Sequence, residues 1–354
     1  MTIERIGLVV HAGKPAAVAA AQRVRQWALR NSVSTADVDV WEELDGRGAR
    51  CSAEEAAAAG NPDLIVTVGG DGTFLRGARV AAASNAEVLG IDVGRVGFLT
   101  EVALDQVEPA LTAVHAGAAQ IERRLTLTMR ASRPLEIPPD IQTLLRYGRG
   151  PTPAPPPVRS SSADDVGWGV GLEVTAINDV VFEKLARDRQ ASLGLSIGGR
   201  LFASYSLDAM VVASSTGSTA YSFAAGGPVL SPRLDALVVT PVAPHMVFDR
   251  SLVLAADEVA SVRVLARSGQ VVVTVDGQLV GVLDPGDWAA VYAGPHPCRV
   301  VRLGPSDFFG RLRKRFGLAD AAAAVADGQT PLVYRPNLPI PADLRHLHLP
   351  PPAT

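Results

Sequence analysis

Apolar positions follow two different rhythms along the chain. Over residues 6–115, short unbroken apolar runs alternate with helical stripes. Residues 6–10 (Ile-Gly-Leu-Val-Val) read as a strand buried on both faces. Residues 11–15 form a turn, with Pro15 placed to open a helix in which Ala17, Ala20, Ala21, Val24, Trp27 and Ala28 share one face. Val38, Val40 and Trp41 predict a second strand, and Ser52-Ala53-Glu54-Glu55 predicts a short helix with Ser52 as N-cap of a capping box. Residues 64–68 and 88–91 are the third and fourth strands, and 104–115 is helical. Such alternation predicts a parallel sheet covered by helices, with its ligand site beyond the C-terminal ends of the strands.

After Ala116 the period changes to two. Leu125, Leu127 and Met129 alternate with Thr126, Thr128 and Arg130. Strands are predicted at 172–182, 191–197, 201–206, 210–213, 236–240, 251–254, 261–265 and 271–275. Ile197-Gly198-Gly199-Arg200 and Asp276-Gly277 supply hairpin turns, so this half reads as mainly antiparallel β. The resulting division is an α/β domain over 1–118 and a β-rich domain over 119–303. The latter is interrupted by a flexible Pro-rich insertion at 134–165. A segment at 304–334 returns to the first domain, and 335–354 is a mobile tail. The basic stretch 308–316 reads as a helix with a solvated face.

Composition narrows the class of protein. With 354 residues, 47% hydrophobic and 19% charged, the chain can bury two sizeable cores. A net charge of −3 argues against a general nucleic-acid binder. No apolar run approaches a membrane span or a signal-peptide core, and the two cysteines, Cys51 and Cys298, form no metal-ligand spacing. These features predict a cytoplasmic protein with no membrane partner and no protein metal cage.

Two constellations carry the candidate chemistry. Gly69-Gly70-Asp71-Gly72-Thr73 ends the third strand and precedes a helix. Its glycines let backbone N–H groups approach a phosphate, the helix offers its positive N-terminus, and Asp71 presents a carboxylate at the mouth of the sheet. Alone, such a loop is as often a plain turn. The second constellation, Thr216-Gly217-Ser218-Thr219-Ala220-Tyr221, combines small hydroxyl residues with one aromatic face, which suits the polar edge of a bulky planar ligand. No Gly-Lys-Ser/Thr loop is present, which sets aside a Walker-type kinase.

Taken together, these motifs resemble the NAD kinase family. So do Gly94-Arg95-Val96-Gly97-Phe98-Leu99, Ile177-Asn178-Asp179-Val180-Val181, Gly226-Gly227-Pro228 and Pro244-His245. The resemblance spans about residues 3–131 and 172–318. It implies a Rossmann-like α/β domain and a β-sandwich-like domain with the site between them. The implied activity is phosphorylation of the adenosine-ribose 2′-hydroxyl of NAD by ATP or polyphosphate, with Mg²⁺ carried by phosphate oxygens. By resemblance Asp71 takes the hydroxyl proton, while Gly70, Gly72 and Thr73 hold diphosphate oxygens. Asn178 and Asp179 grip adenosine and ribose hydroxyls, and Asp208 meets the nicotinamide end. Thr216, Thr219, Ala220 and Tyr221 line the base pockets, and Phe74, Arg76 and Ser218 are counted among the nucleotide-binding residues. Asp276 lies in a turn that the family brings near the site, with an ordinary hairpin turn at least as good an account. The family is generally homo-oligomeric, which implies a homodimer or homotetramer.

The chain departs from the family pattern at three places. Asn178-Asp179 replaces Asn-Glu, Asp208-Ala209 replaces Asp-Gly, and Ser215 stands where proline is frequent. Two rival readings follow: a non-catalytic NAD(P)-binding regulator, and a lipid or small-molecule kinase that shares the glycine loop. The first would suit a chain lacking Asp71, and the second gives no reason for residues 216–221.

Overall fold

The apolar runs at 6–10, 64–68 and 88–91 become strands whose alternate residues serve two different cores. A computed structural model describes residues 3–38, 52–94, 97–139, 141, 156–159, 165, 167–186, 188–304, 307–319 and 341–347. In chain order the first elements are β1 (Arg5–Val10), α1 (Pro15–Arg30), β2 (Ser34–Asp37), α2 (Ser52–Ala58), β3 (Leu64–Gly69), α3 (Asp71–Ser84), β4 (Glu87–Asp92), α4 (Val107–His115) and β5 (Gln120–Arg124). Leu64, Val66 and Val68 of β3 pack with α1 and α4 on one face, whereas Ile65 packs with Phe74, Ala78 and Ala81 of α3 on the other. Two apolar faces explain why these strands read as continuous hydrophobic runs. The helical stripe of α1 buries the six residues that the spacing predicts.

Among the described residues, twelve strands of the β-rich part follow. These are β6 (Leu127–Ala131), β7 (Val170–Gly171), β8 (Asp179–Lys184), β9 (Ala191–Ile197), β10 (Arg200–Leu207), β11 (Ala209–Ser214), β12 (Ala236–Val242), β13 (Leu252–Ala255), β14 (Ala260–Val264), β15 (Val271–Val275), β16 (Gln278–Leu283) and β17 (Trp288–Ala293). A four-residue helix, α5 (Tyr221–Ala224), lies between β11 and β12. The chain then adds β18 (Cys298–Arg302) and α6 (Phe308–Phe316).

Three six-stranded sheets result, ordered β2-β1-β3-β4-β18-β5, β10-β9-β14-β17-β6-β7 and β13-β12-β11-β8-β15-β16. The first is parallel except where β5 meets β18, and the other two are antiparallel. Residues from the second and third sheets share one large core, including Met129, Leu193, Val262, Phe182, Met210 and Val273. Alternate residues of β11 (Ala209, Val211 and Ala213) face a separate, smaller cluster. An α/β part and a two-sheet all-β part therefore account for the two rhythms of the sequence.

Several boundaries differ from the sequence expectation. β2 covers Ser34–Asp37 and stops before Val38, while Val40 and Trp41 lie outside the described residues. The strand expected at 172–182 begins only at Asp179, because residues 177–179 give their N–H groups to a side chain instead of a ladder. Both β5 and β18 belong to the first sheet, so the chain returns to it already at Cys298 and not after residue 303. Much of the insertion lies outside the described residues, although Glu136 bridges Val282 and Val158 bridges Leu172. Residues 309–354 cluster as a second unit, of which α6 and the 3-10 turn Ala342–Leu344 are described. No helix among the described residues is long and apolar enough to cross a membrane.

Close backbone contacts set the placement of α3. A Cβ on Gly77 would stand 2.3 Å from the Thr67 methyl, and one on Gly90 would stand 2.8 Å from the Phe74 ring. Neither neighbour has room to withdraw, since both Thr67 and Phe74 are buried. Gly77→Val is predicted to destabilise the protein by at least about 2 kcal/mol through overpacking, read as a lowered urea midpoint at unchanged slope. An unchanged midpoint would show that α3 can ride higher on the sheet.

Candidate active site

β3 ends at Gly69, Gly70 turns the backbone with φ −109° and ψ −168°, and Asp71 is the first residue of α3. The half-buried Asp71 carboxylate faces the loop after β4. Its Oδ2 accepts from the Phe98 N–H at 3.1 Å and its Oδ1 from the Leu99 N–H at 3.2 Å. This approach needs a glycine, because a Cβ on Gly97 would lie 2.0 Å from Asp71 Oδ1. Asp92, at the end of β4, fixes the loop in turn. It accepts from Gly94 N at 2.6 Å, from Gly97 N at 3.0 Å and from Thr100 Oγ1 at 2.8 Å. Two strand-end carboxylates thus hold one another through a glycine loop, of which Arg95 and Val96 lie outside the described residues.

A cavity of about 370 Å³ opens beside the glycine loop. Gly70, Gly72, Thr73, Leu75, Arg76 and Arg79 line it from the β3–α3 connection, and His11 and Lys14 from the turn after β1. Asp276, Gly277 and Gln278 close it from the β15–β16 hairpin. Lys14, Arg76, Arg79 and a helix N-terminus share the wall with one carboxylate, Asp276, a balance of charge that suits a polyanion. Burial depresses the Arg76 pKa, and Arg79 adds to this while Glu55 opposes it. The guanidinium stays charged regardless.

Asp276 is both the hairpin turn that the sequence suggested and more. It has φ +46° and Gly277 has φ +77°, as a tight two-residue turn requires. Its carboxylate turns inward and accepts from Ile177 N at 3.0 Å, Asn178 N at 2.7 Å and Asp179 N at 3.2 Å. Burial raises the Asp276 pKa, against the pull of Arg79 and of these backbone donors. Asp179 is 5% exposed, and burial followed by the nearby Asp276 charge pushes its pKa up to about 7.

The second constellation sits directly on this clamp. A Cβ on Gly217 would lie 2.0 Å from the Asn178 carbonyl oxygen, so only glycine permits the contact. Ser214 Oγ donates to Ile177 O at 2.6 Å and accepts from Gly217 N at 3.1 Å. Thr219 Oγ1 donates to Thr216 O at 3.3 Å, and Arg124 Nη1 donates to Thr216 Oγ1 at 3.3 Å. Tyr221 stands out at 39% exposure as an available aromatic face. Its hydroxyl pKa is raised by burial and then by Glu183, Asp179 and Asp208.

The structure sorts the residues singled out from sequence. Gly70, Gly72, Thr73 and Arg76 share the cavity wall. Asn178, Asp179 and residues 216–221 form one packed group tied to that wall by Asp276. Two assignments are corrected. Phe74 is 1% exposed and belongs to the α3 core, where Gly90 makes room for its ring, so its side chain does not line the cavity. Ser218 is fully buried and its hydroxyl is spent on Ser215 O at 2.7 Å and Leu230 N at 3.0 Å, so it shapes the loop and does not line a pocket. Asp208 pairs with Lys184 at 2.6 Å and stands apart from the cavity wall. Ala209 lies in β11 without positive φ, so its methyl is accommodated in ordinary extended backbone.

Sequence reasoning missed His11, Lys14, Arg79, Gln278 and the clamping role of Asp276. Arg79 was within reach, being three residues after Arg76 on the same helical face. The turn carrying His11 and Lys14 follows β1, which is the parallel neighbour of β3, so both turns emerge at the same sheet end.

Comparison with known proteins agrees with this arrangement. Residues 6–119 match the family model of the ATP-NAD kinase N-terminal domain and residues 177–303 that of the ATP-NAD kinase C-terminal domain. The chain is 59% identical over 352 residues to NAD kinase 1 of Streptomyces coelicolor, covering 99% of this chain and 96% of the relative. It is 33% identical over 327 residues to the NAD kinase of Moorella thermoacetica, covering 88% and 89%. In fold it is similar to yeast NADH kinase solved with NADH (TM-score 0.70, 19% identity, 90% and 89% covered). It is also similar to an Archaeoglobus fulgidus NAD kinase solved with ATP (TM-score 0.58, 22% identity, 88% and 96% covered).

The raised pKa of Asp179 has a defined consequence for stability. Between the unfolded value of 3.8 and about 7 the folded state binds the extra proton, so stability falls as pH rises through this window. Asp179→Asn removes the penalty and is predicted to stabilise the protein at pH 8 by on the order of a few kcal/mol while flattening the decline between pH 4 and 7. Denaturant midpoints at pH 5 and pH 8 read this. A decline that persists unchanged in the variant would assign it to another group.

Proposed function

The chain belongs to the NAD kinase family and phosphorylates NAD to NADP, and we propose that it draws the phosphoryl group from ATP bound in the cationic cavity, with Asp71 as the base. The observation that carries this reading is the juxtaposition of Lys14, Arg76 and Arg79 with the N-terminus of α3, where Asp71 is the first residue. A triphosphate needs that positive field, and the relative solved with ATP supports the same donor.

In this reading the chain's own groups act by positioning. The N–H groups of Phe98 and Leu99 orient both oxygens of Asp71, and each oxygen keeps a lone pair for the ribose 2′-hydroxyl. Asp71 takes the hydroxyl proton as the oxygen attacks the terminal phosphorus in line, and the bond from that phosphorus to the β–γ bridging oxygen breaks, with ADP leaving. Lys14, Arg76 and Arg79 neutralise the charge spread over the phosphate oxygens, and Gly70 and Gly72 let backbone N–H groups reach them. Asn178, Thr216, Thr219 and Tyr221 hold the nucleoside, with Asp276 fixing the turn that bears Asn178. Asp179 is short and buried, so its contribution is to shape that turn more than to reach outward.

Mg²⁺ fits this donor set as a nucleotide-borne ion. No group of three or more His, Cys, Asp or Glu side chains among the described residues forms a cage. The Asp276 carboxylate on the cavity wall is turned onto the N–H groups of residues 177–179, so phosphate oxygens and water would supply the ligands. When bound, the ion would withdraw charge from the transferred phosphoryl group. We also place self-association in the β-rich part. There the edge strand β10 exposes Leu201 and Phe202, and Phe202 stacks edge-on against Phe248 at 5.4 Å.

Asp71→Asn is predicted to lower kcat by about 10²–10⁴-fold while NAD still binds, measured as NADP formed with ATP and Mg²⁺ and by NAD titration. Arg79→Ala is predicted to raise the KM for ATP by about tenfold or more with little change in that for NAD. Near-normal turnover in the first variant removes Asp71 as base. An Arg79 effect confined to NAD moves the donor out of the cavity, and turnover with polyphosphate alone reassigns the donor.

A further inference from the structure

The chain crosses between its α/β sheet and its β-rich sheets twice, and the two crossings run side by side. β5 leads out to β6 and β18 leads back from β17, and the two strands pair antiparallel with Val300 opposite Glu122 and Cys298 opposite Arg124. Charged side chains are packed into this junction. Arg302 Nε donates to Glu122 Oε2 at 2.6 Å and its Nη1 pairs with Glu101 at 3.0 Å, while Arg124 Nη2 lies 3.0 Å from Glu122 Oε1. Arg302 is 2% exposed and Arg124 is 3% exposed. Burial works to raise the Glu122 pKa, but the two arginines overcome it and hold the carboxyl below its ordinary value.

Strand pairing alone does not account for this cluster. Apolar side chains of similar volume hold paired strands together without the desolvation cost of buried charges. What the charged groups add is reach. Arg302 Nη1 donates to the Leu99 carbonyl at 3.3 Å, and the Leu99 N–H holds Asp71. At the other end, Arg124 Nη1 donates to Thr216 Oγ1 at 3.3 Å, the first residue of the nucleotide loop. One continuous path of polar contacts therefore runs from the loop that orients the base to the loop that receives the nucleotide. It passes through the place where the two parts of the chain are joined.

We propose that Arg124 and Arg302 are positioning residues, which through Glu122 set the Asp71 loop against the loop at 216–221 for phosphoryl transfer. Neither touches the reacting atoms. Their work is to hold the distance between base and ribose, to which in-line transfer is sensitive. The proposal rests on the assignment of Asp71 and residues 216–221 to the active site, which Asp71→Asn tests separately.

A double-mutant cycle tests the coupling. Arg124→Met, Thr216→Val and the double variant are assayed for kcat and for the KM of NAD and of ATP, below the temperature at which any of them unfolds by circular dichroism. Each single change is expected to lower kcat/KM for NAD by about tenfold or more, with the KM for ATP within about twofold, and the loss in the double variant is expected to be well short of the product of the two single losses. Arg124→Lys keeps the charge beside Glu122 but lacks the forked donors that serve Glu122 and Thr216 together. It is expected to recover the melting temperature of Arg124→Met without recovering kcat/KM. If Arg124→Met does not fold, Arg124→Lys with Thr216→Val runs the same cycle. Losses that multiply in the double variant, or full recovery of activity in Arg124→Lys, overturn the proposal and leave a structural ion cluster. If Asp71→Asn retains turnover, the site assignment fails first, whereas an inactive Asp71→Asn beside multiplicative losses overturns the coupling alone.

Discussion

The arrangement depends on two backbone hydrogen bonds, from Phe98 and Leu99 to the Asp71 carboxylate. A carboxylate on the first turn of a helix is already favoured by the helix dipole, but that field does not fix its orientation. Backbone donors do, and they do so only because the neighbouring residue is Gly97, whose missing Cβ leaves the carboxylate its place. The demand then passes down the chain. Asp92 must hold the loop, Gly90 must admit Phe74 beneath α3, and Gly77 must let α3 lie close on β3. A glycine loop at a strand end is common, and what makes this one specific is that its aspartate is locked by a second such loop.

Charge is distributed with the same economy. Cations line the cavity on the α/β side, while the carboxylates of Asp179 and Asp276 are enclosed on the β side. The Asp276 charge is spread over consecutive backbone donors, which fix its turn, and Arg79 supplies a nearby positive charge. Burying Asp179 beside it is costly, and that cost is the sort of local conflict that concentrates at functional sites. The fold is kept stable elsewhere, by the large apolar core between the second and third sheets.

How much of this was legible in the sequence depends on how local each feature is. β1, α1, β3 and β4 were readable because both faces of each strand are apolar and because the α1 stripe is regular. Asp71 and the 216–221 loop were readable as short contiguous motifs. β18 was not, since Arg299 and Arg302 interrupt its apolar residues and leave neither an unbroken run nor a period of two. Its place was set instead by pairing with β4, about two hundred residues earlier, and with β5. The strand expected at 172–182 failed for a related reason. Leu172, Val174 and Ala176 do alternate, but the N–H groups of residues 177–179 go to a carboxylate from the far hairpin. Phe74 and Ser218 show the converse error. They sit within site motifs, yet their side chains point into the protein, so membership of a motif says nothing about which way a side chain faces.

Asp276 marks the limit of reading a motif locally. Asp-Gly after an apolar strand is a hairpin signal with a complete local explanation, positive φ at both positions. Nothing in that explanation requires the carboxylate to point anywhere. Yet any residue with a helper side chain at this turn lies at one end of β15, and β15 pairs with β8, so the turn must lie beside the start of β8 where Asn178 sits. Because Gly277 and Gln278 also border the cationic cavity, the hairpin touches the turn bearing Asn178 on one side and the cavity on the other. A small displacement of this turn would therefore be felt at the start of β8 and at the cavity together.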